Sequence, residues 1–136
     1  MATIDDVREI ALALPGVEER TGGHTGEPAW RLKSGQIAWV RGPTGADVRS
    51  LEALGRSWPD GPVLGVRVGS LEEKEALLAA EPGWLFSIPH FDGYPGLLVR
   101  LAAIERDRLA EIIADAWLVR APARVAKEWL AEQGLE

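Results

Sequence analysis

Apolar residues near both ends of the chain recur at helical spacing. Thr3 can cap a first helix that stops at Pro15 and carries a stripe of apolar side chains: Ile4, Val7, Ile10, Ala11 and Leu14. Near the other end, two similar stripes predict helices over residues 106–118 and 122–133, the second beginning at Pro122. The chain therefore begins and ends in amphipathic helices.

Between these helices, apolar and polar residues alternate in short runs, as expected of strands that bury one face. The runs cover residues 27–33, 36–41, 62–68, 84–88 and 96–101. A central helix separates the third run from the fourth, because Ser70 and Glu73 form a capping box and Pro82 ends the helical pattern.

Ser34 and Gly35 suit a tight hairpin turn between the first two strands. Pairing across that turn places Leu32 opposite Ile37 and Trp30 opposite Trp39, so all four side chains should share the core face. The connection over 42–60 is too long for a bare loop, and Asp47–Leu54 offers a capped helical turn or two within this excursion.

The element order α-β-β-β-α-β-β-α-α predicts one α+β domain over residues 1–136, with an excursion at 42–60. We expect two layers, an antiparallel five-stranded sheet covered by helices on one face, and an opposite face open to water.

Strand alternation gives the open face four cations, Arg31, Lys33, Arg67 and Arg100, and no acidic residue from the same strands. In a chain of net charge −6, this face is the place where an anion would be favoured. The alternative is that these cations solvate the sheet and pair with acids on loops, as exposed charges commonly do.

The composition narrows the remaining possibilities. The chain has no cysteine, which excludes disulfides, thiolate metal sites and a cysteine nucleophile. The sequence has neither an apolar run long enough to span a membrane nor a signal-peptide pattern at its start, so we expect a cytoplasmic protein.

The sequence offers no recognisable catalytic constellation. His24 and His90 lie in glycine-containing loops, and with Asp92 they match no known metal-ligand spacing, so we expect neither a metal nor another cofactor. No serine lies in a G-x-S-x-G elbow, and Ser87 is too close in sequence to His90 and Asp92 to form a triad with them.

Five segments in order resemble the MmcQ/YjbR family: LALPGVEE, HTGEPAW, EEKEALLAAEP, PHFDGYPGLLVRL and AWLVRAPARVAKEW. The resemblance implies a sheet with helices on one side, similar to secretion chaperones and to the CyaY-like (frataxin-like) fold. It also implies a DNA-binding function, since the family is commonly described as DNA-binding. It marks two groups of residues: His24, Gly26, Pro28 and Trp30 at the first strand, and Pro89, His90, Gly93, Tyr94, Pro95 and Arg100 at the signature loop and strand.

The sequence thus predicts a non-catalytic binding module whose basic open face holds DNA phosphates. One alternative is a protein-interaction or chaperone-like module, with another protein or a second copy as partner. The other is a binder of small acidic ligands in the region of His24, His90, Tyr94 and Arg100.

Overall fold

A computed structural model describes residues 1–21 and 26–134 of the chain. The helices are α1 (Ile4–Leu12), α2 (Gly45–Ala53), α3 (Leu71–Ala80), α4 (Arg106–Arg120) and α5 (Ala123–Glu132). The strands are β1 (Glu18–Thr21), β2 (Pro28–Leu32), β3 (Gly35–Val40), β4 (Val63–Arg67), β5 (Leu85–Phe86) and β6 (Gly96–Arg100). Short 3-10 turns cover Pro89–Phe91 and Leu101–Ala103.

Within the described residues, the strands form one sheet in the order β1-β2-β3-β4-β6-β5, with every neighbouring pair antiparallel. This confirms the predicted α+β class and antiparallel sheet. The strand count differs, because β1 adds a sixth strand at the edge beside β2. Its sequence, EERT, has no apolar residue and so carries no alternation that could predict a strand.

The main core lies on one face of the sheet, here called the first face, where it is covered chiefly by α1 and α4. Trp30 and Trp117 are fully buried there, and Trp117 donates its indole N–H to the carbonyl of Pro15 at 2.9 Å. Of the predicted inward-facing residues, only Trp39 is not buried. The buried ones are Trp30, Leu32, Ile37, Leu64, Val66, Val68, Leu97, Val99 and Leu101. Each such aliphatic side chain contributes about 1.5–3 kcal/mol through removal from water.

The opposite face, here called the second face, carries Trp39, Val63, Gly65 and Leu98. The prediction that this face is open to water is wrong at its centre. Leu51 of α2 packs on Val63 and Leu98 together with Ile88 and Phe91, forming a second, smaller core. The helices therefore do not all lie on one face, because α2 folds back over the sheet.

The excursion at 42–60 contains α2, as the helical turn predicted there suggested, and the helix begins two residues before Asp47. The Thr44 hydroxyl is the N-cap and accepts the backbone N–H of Asp47 at 3.1 Å. The Asp47 carboxylate accepts the backbone N–H of Thr44 in return, which completes a capping box.

The predicted register of the first hairpin is also wrong. Trp30 lies opposite Ala38, Ala29 lies opposite Trp39, and a bulge shifts the pairing at the next step of β2. Ile37 is the extra residue of β3, so Ile37 and Ala38 both enter the main core. After this shift of one residue, the Trp39 side chain points to the second face instead of joining Trp30.

Candidate functional site

The candidate site is a cavity on the second face, lined by Trp39, Arg41, His90, Phe91 and Tyr94. We call it the aromatic cavity; its volume is about 280 Å³. Trp39 and Arg41 come from β3 and the residue after it, two positions apart, so both side chains point to the same face. The other three residues come from the loop between β5 and β6.

Three rings of the cavity contact one another. The ring centres of Phe91 and Tyr94 lie 5.6 Å apart with an interplanar angle of 76°, an edge-to-face geometry. The Trp39 ring centre lies 6.3 Å from that of Phe91 and 6.5 Å from that of Tyr94. The three side chains thus form a mixed wall of ring faces and edges.

Two glycines make room for these rings. A Cβ added to Gly65 would come within 2.3 Å of the Trp39 indole, and one added to Gly96 would come within 2.5 Å of the Tyr94 ring. Because β4 and β6 lack side chains at these points, the rings can lie directly against the sheet.

Arg41 supplies the cationic group of the cavity. Its guanidinium carbon lies 5.6 Å from the centre of the Phe91 ring, within the range of a cation–π contact. Its Nη2 donates to Oδ2 of Asp47 at 2.7 Å, and both side chains are largely buried, with 19% and 3% exposure. The Nε of Arg41 is buried without an acceptor among the described residues. The capping-box residue of α2 therefore also holds Arg41 in place.

The loop that carries His90, Phe91 and Tyr94 is anchored by a buried lysine of α3. Lys74 Nζ donates to the carbonyl of Phe91 at 2.6 Å and to that of Tyr94 at 2.9 Å. Burial lowers the pKa of Lys74, and the nearby charge of Asp92 acts in the opposite direction. Lys74 thus ties the backbone of the cavity wall to a helix that does not itself line the cavity.

The four predicted cations do not form one cluster. Arg31, opposite Gln36, and Arg67, opposite Gly96, lie toward the same end of the second face and are half-buried. The Nε of each arginine donates to the backbone carbonyl of the following residue, at 3.3 Å for Arg31 and Leu32 and at 3.1 Å for Arg67 and Val68. Glu18 of the unpredicted strand lies opposite Arg31, so this end is not free of acidic residues.

Arg100 and Lys33 lie elsewhere. Arg100 is exposed at the other end of the second face, opposite Val63, which in turn accepts the backbone N–H of Arg41. Two strand spacings separate Arg41 from Arg100, about 10 Å, and Arg100 does not line the aromatic cavity. Lys33 lies in the hairpin turn. It borders a groove with Leu32 and Arg120, on the first face of the sheet.

The structure brings together two of the residues suggested for an acidic-ligand site, His90 and Tyr94. His24 lies outside the described residues. Within residues 1–21 and 26–134, no three histidine, aspartate or glutamate side chains are grouped so as to hold a metal ion.

Sequence reasoning did not assign four residues of this site: Trp39, Arg41, Asp47 and Phe91. One local signal was present: Trp39 and Arg41 are two apart in a strand pattern and must share a face. The bulge that decides which face they share has no signal in the alternation of β3. The pairing of Arg41 with Asp47 depends on how α2 folds back.

The fold defines the class of protein, a small α+β protein with an antiparallel sheet. It is similar to the crystal structure of the Deinococcus radiodurans protein DR2400, domain DUF419, with a TM-score of 0.65 and 20% identity. The similarity covers 100% of this chain and 91% of that one. No family model matches the sequence.

Close sequence relatives come from mycobacteria. The chain is 42% identical over 134 residues to the uncharacterized protein Rv2570 of Mycobacterium tuberculosis and to the uncharacterized protein Mb2600 of Mycobacterium bovis. The match covers 98% of this chain and 100% of each relative. The chain belongs to the same family as these mycobacterial proteins. In the part of the chain that the structure describes, no helix is both long enough and apolar enough to cross a bilayer.

Proposed function

We propose that this protein is a non-catalytic binding module that takes an anionic ligand into the aromatic cavity beside Arg41. One observation carries the proposal: a largely buried guanidinium lines a cavity of ring surfaces, with only one acceptor, Asp47, among the described residues. A ligand acceptor that enters the cavity would meet a largely buried guanidinium that donates to Asp47 through Nη2 alone, and a charge-assisted hydrogen bond there gains more than it does at the exposed surface.

The other lining groups favour binding over chemistry. Tyr94 and His90 bring polar groups to the cavity, and the remaining surface is aromatic. Among the cavity's described lining residues, no serine, threonine or cysteine lies beside His90, so a nucleophile–base pair is not part of the proposal. Pockets of this composition, with a few polar groups placed among aromatic walls, are typical of small-ligand sites.

The test is a panel of small anions observed by ligand NMR against the wild type and two variants. Arg41→Met combined with Asp47→Asn removes both charges, so neither is left buried alone, and should abolish binding. Arg124→Met changes an exposed arginine of α5 as the matched control and should bind like the wild type. The proposal fails if no anion of the panel binds, or if the double variant is folded and binds equally well.

We propose nucleic acid as a second candidate, together with membership of the MmcQ/YjbR family suggested by the five ordered sequence segments. The observation that favours it is the placement of Arg31 and Arg67 toward one end of the second face. The net charge of −6 and the position of Glu18 opposite Arg31 oppose it.

Fluorescence anisotropy with labelled duplex and single-stranded DNA, at low and near-physiological salt, tests this candidate. If it is right, binding weakens steeply as salt rises, and Arg31→Ala with Arg67→Ala removes it while Arg124→Ala does not. Absence of binding at low salt would eliminate the nucleic-acid candidate and leave the cavity proposal untouched.

A further inference from the structure

The aromatic cavity is specific about the kind of anion it can hold. We infer that its ligand is a planar aromatic monocarboxylate, with the ring against Trp39 and Tyr94 and the carboxylate at Arg41. This inference rests on the proposed function and narrows it from anions in general to one chemical class.

Charge is the first step. Asp47 already compensates Arg41 through a 2.7 Å hydrogen bond and is itself 3% exposed in its side chain. An entering ligand therefore meets a buried ion pair and not an isolated cation. A single negative charge can share the guanidinium with Asp47, whereas a phosphate dianion would bring two charges close to that buried carboxylate.

Hydrogen-bond donors are the second step. The indole N–H of Trp39 and the hydroxyl of Tyr94 have no acceptor among the described residues, and Nη2 is the one guanidinium nitrogen bonded to Asp47. The indole N–H groups of Trp30, Trp84 and Trp117 donate within the protein, whereas those of Trp39, Trp58 and Trp129 have no acceptor among the described residues. The residues that line the cavity thus keep donors for a ligand that carries acceptor oxygens, such as a carboxylate.

Shape is the third step. The space is about 280 Å³, slightly below the range of about 300–1,000 Å³ for pockets that hold drug-sized ligands, so one or two fused rings fit better than a nucleotide. The indole of Trp39 lies close against β4 because Gly65 has no side chain. A planar body can stack there, which a saturated or branched acid of similar size cannot do equally well.

Isothermal titration with matched probes tests the class. Indole-3-acetate is the reference, indole-3-acetamide removes the charge, cyclohexylacetate removes the planar ring, and phenyl phosphate replaces the carboxylate by a dianion. We expect each of these three to bind at least about tenfold more weakly than indole-3-acetate, a difference of about 1.4 kcal/mol. N-acetyl-tryptophan resembles the C-terminal residue of a peptide, so its binding shows whether a peptide C-terminus can supply the same chemistry as a free acid.

The outcomes separate the two levels of the proposal. If phenyl phosphate or another anion binds as tightly as indole-3-acetate and depends on Arg41, the ligand class is wrong while the anion site remains. If the acetamide or the cyclohexyl acid matches indole-3-acetate, charge or planarity does not select the ligand and the class is again wrong. If no anion binds, the proposed function fails together with its refinement.

A positional control links the result to the cavity. Trp39→Leu should weaken indole-3-acetate binding at least about tenfold through loss of the stacking surface. Trp129→Leu alters another half-buried tryptophan, in α5, and should leave binding unchanged. Equal affinity of the wild type and a folded Trp39→Leu variant would overturn the assignment.

Discussion

The indole ring of Trp39 lies over Gly65 of the neighbouring strand, so close that a Cβ on Gly65 would come within 2.3 Å of the ring. This contact joins the first hairpin to the centre of the sheet on its second face. It also places Trp39 in the aromatic cavity instead of the main core. Substitution of Gly65 should therefore affect both the stability of the protein and the shape of the cavity.

Gly65→Ala should lower the free energy of unfolding by about 1–3 kcal/mol, because the added methyl group must displace a ring in a packed region. Urea unfolding measures the loss, and near-UV circular dichroism reports the shifted indole. Gly42→Ala is the control, since a Cβ there meets nothing within 4 Å. Equal stability of wild type and Gly65→Ala would contradict the described contact.

Asp47→Ala should be strongly destabilising, because it leaves Arg41 buried and unpaired and removes one arm of the capping box of α2. We expect a loss of about 3–5 kcal/mol, the usual cost of breaking a buried ion pair. Glu128→Ala, which breaks an exposed pair with Arg124 at 3.9 Å, should cost less than about 1 kcal/mol. Similar losses for both variants in urea unfolding would be inconsistent with a special role of Asp47.

Lys74→Met should loosen the loop that forms one wall of the cavity, because the carbonyls of Phe91 and Tyr94 lose their donor. Hydrogen–deuterium exchange should rise in residues 89–96, with little change in β2 and β3. Lys127→Met, at an exposed position of α5, is the control. An unchanged exchange rate in the loop would show that Lys74 does not anchor it.

Acid should weaken the link between α3 and α4. Arg108 Nε donates to Oε1 of Glu81 at 2.7 Å, and this hydrogen bond lowers the pKa of Glu81 from the ordinary 4.5. Just below pH 4.5 the unfolded chain binds a proton at Glu81 that the folded protein does not, so the free energy of unfolding falls as pH falls. The contribution is fully present above that pH.

Glu81→Gln should therefore be less stable than the wild type at pH 7 and should show a smaller loss between pH 5 and pH 3. Chemical denaturation at several pH values measures both effects. Glu132→Gln, at an exposed position of α5, should follow the wild-type profile. If the free energy of unfolding of the wild type falls with pH no more steeply than that of Glu81→Gln, Glu81 is not a source of acid sensitivity.

Sequence reasoning was most successful where the pattern is local and repeated. The helix stripes, the N-caps at Thr3 and Ser70 and the inward-facing residues of β4 and β6 agree with the structure. The capping box predicted for Ser70 and Glu73 is only half formed, because the Glu73 carboxylate accepts the backbone N–H of Gly69 and not that of Ser70. It was wrong for Trp39, because a bulge inserts one residue without changing the composition of the strand. It missed β1, whose charged side chains carry no burial signal.

The amino-acid sequence by itself determined the α+β class, the main core and the positions of most helices, because these depend on the spacing of apolar residues along the chain. Only the tertiary structure decided that α2 covers the second face, that Trp39 turns toward it and that Asp47 holds Arg41 there. The physical reason is that each of these depends on long-range packing and on the register between strands, which side-chain periodicity does not encode.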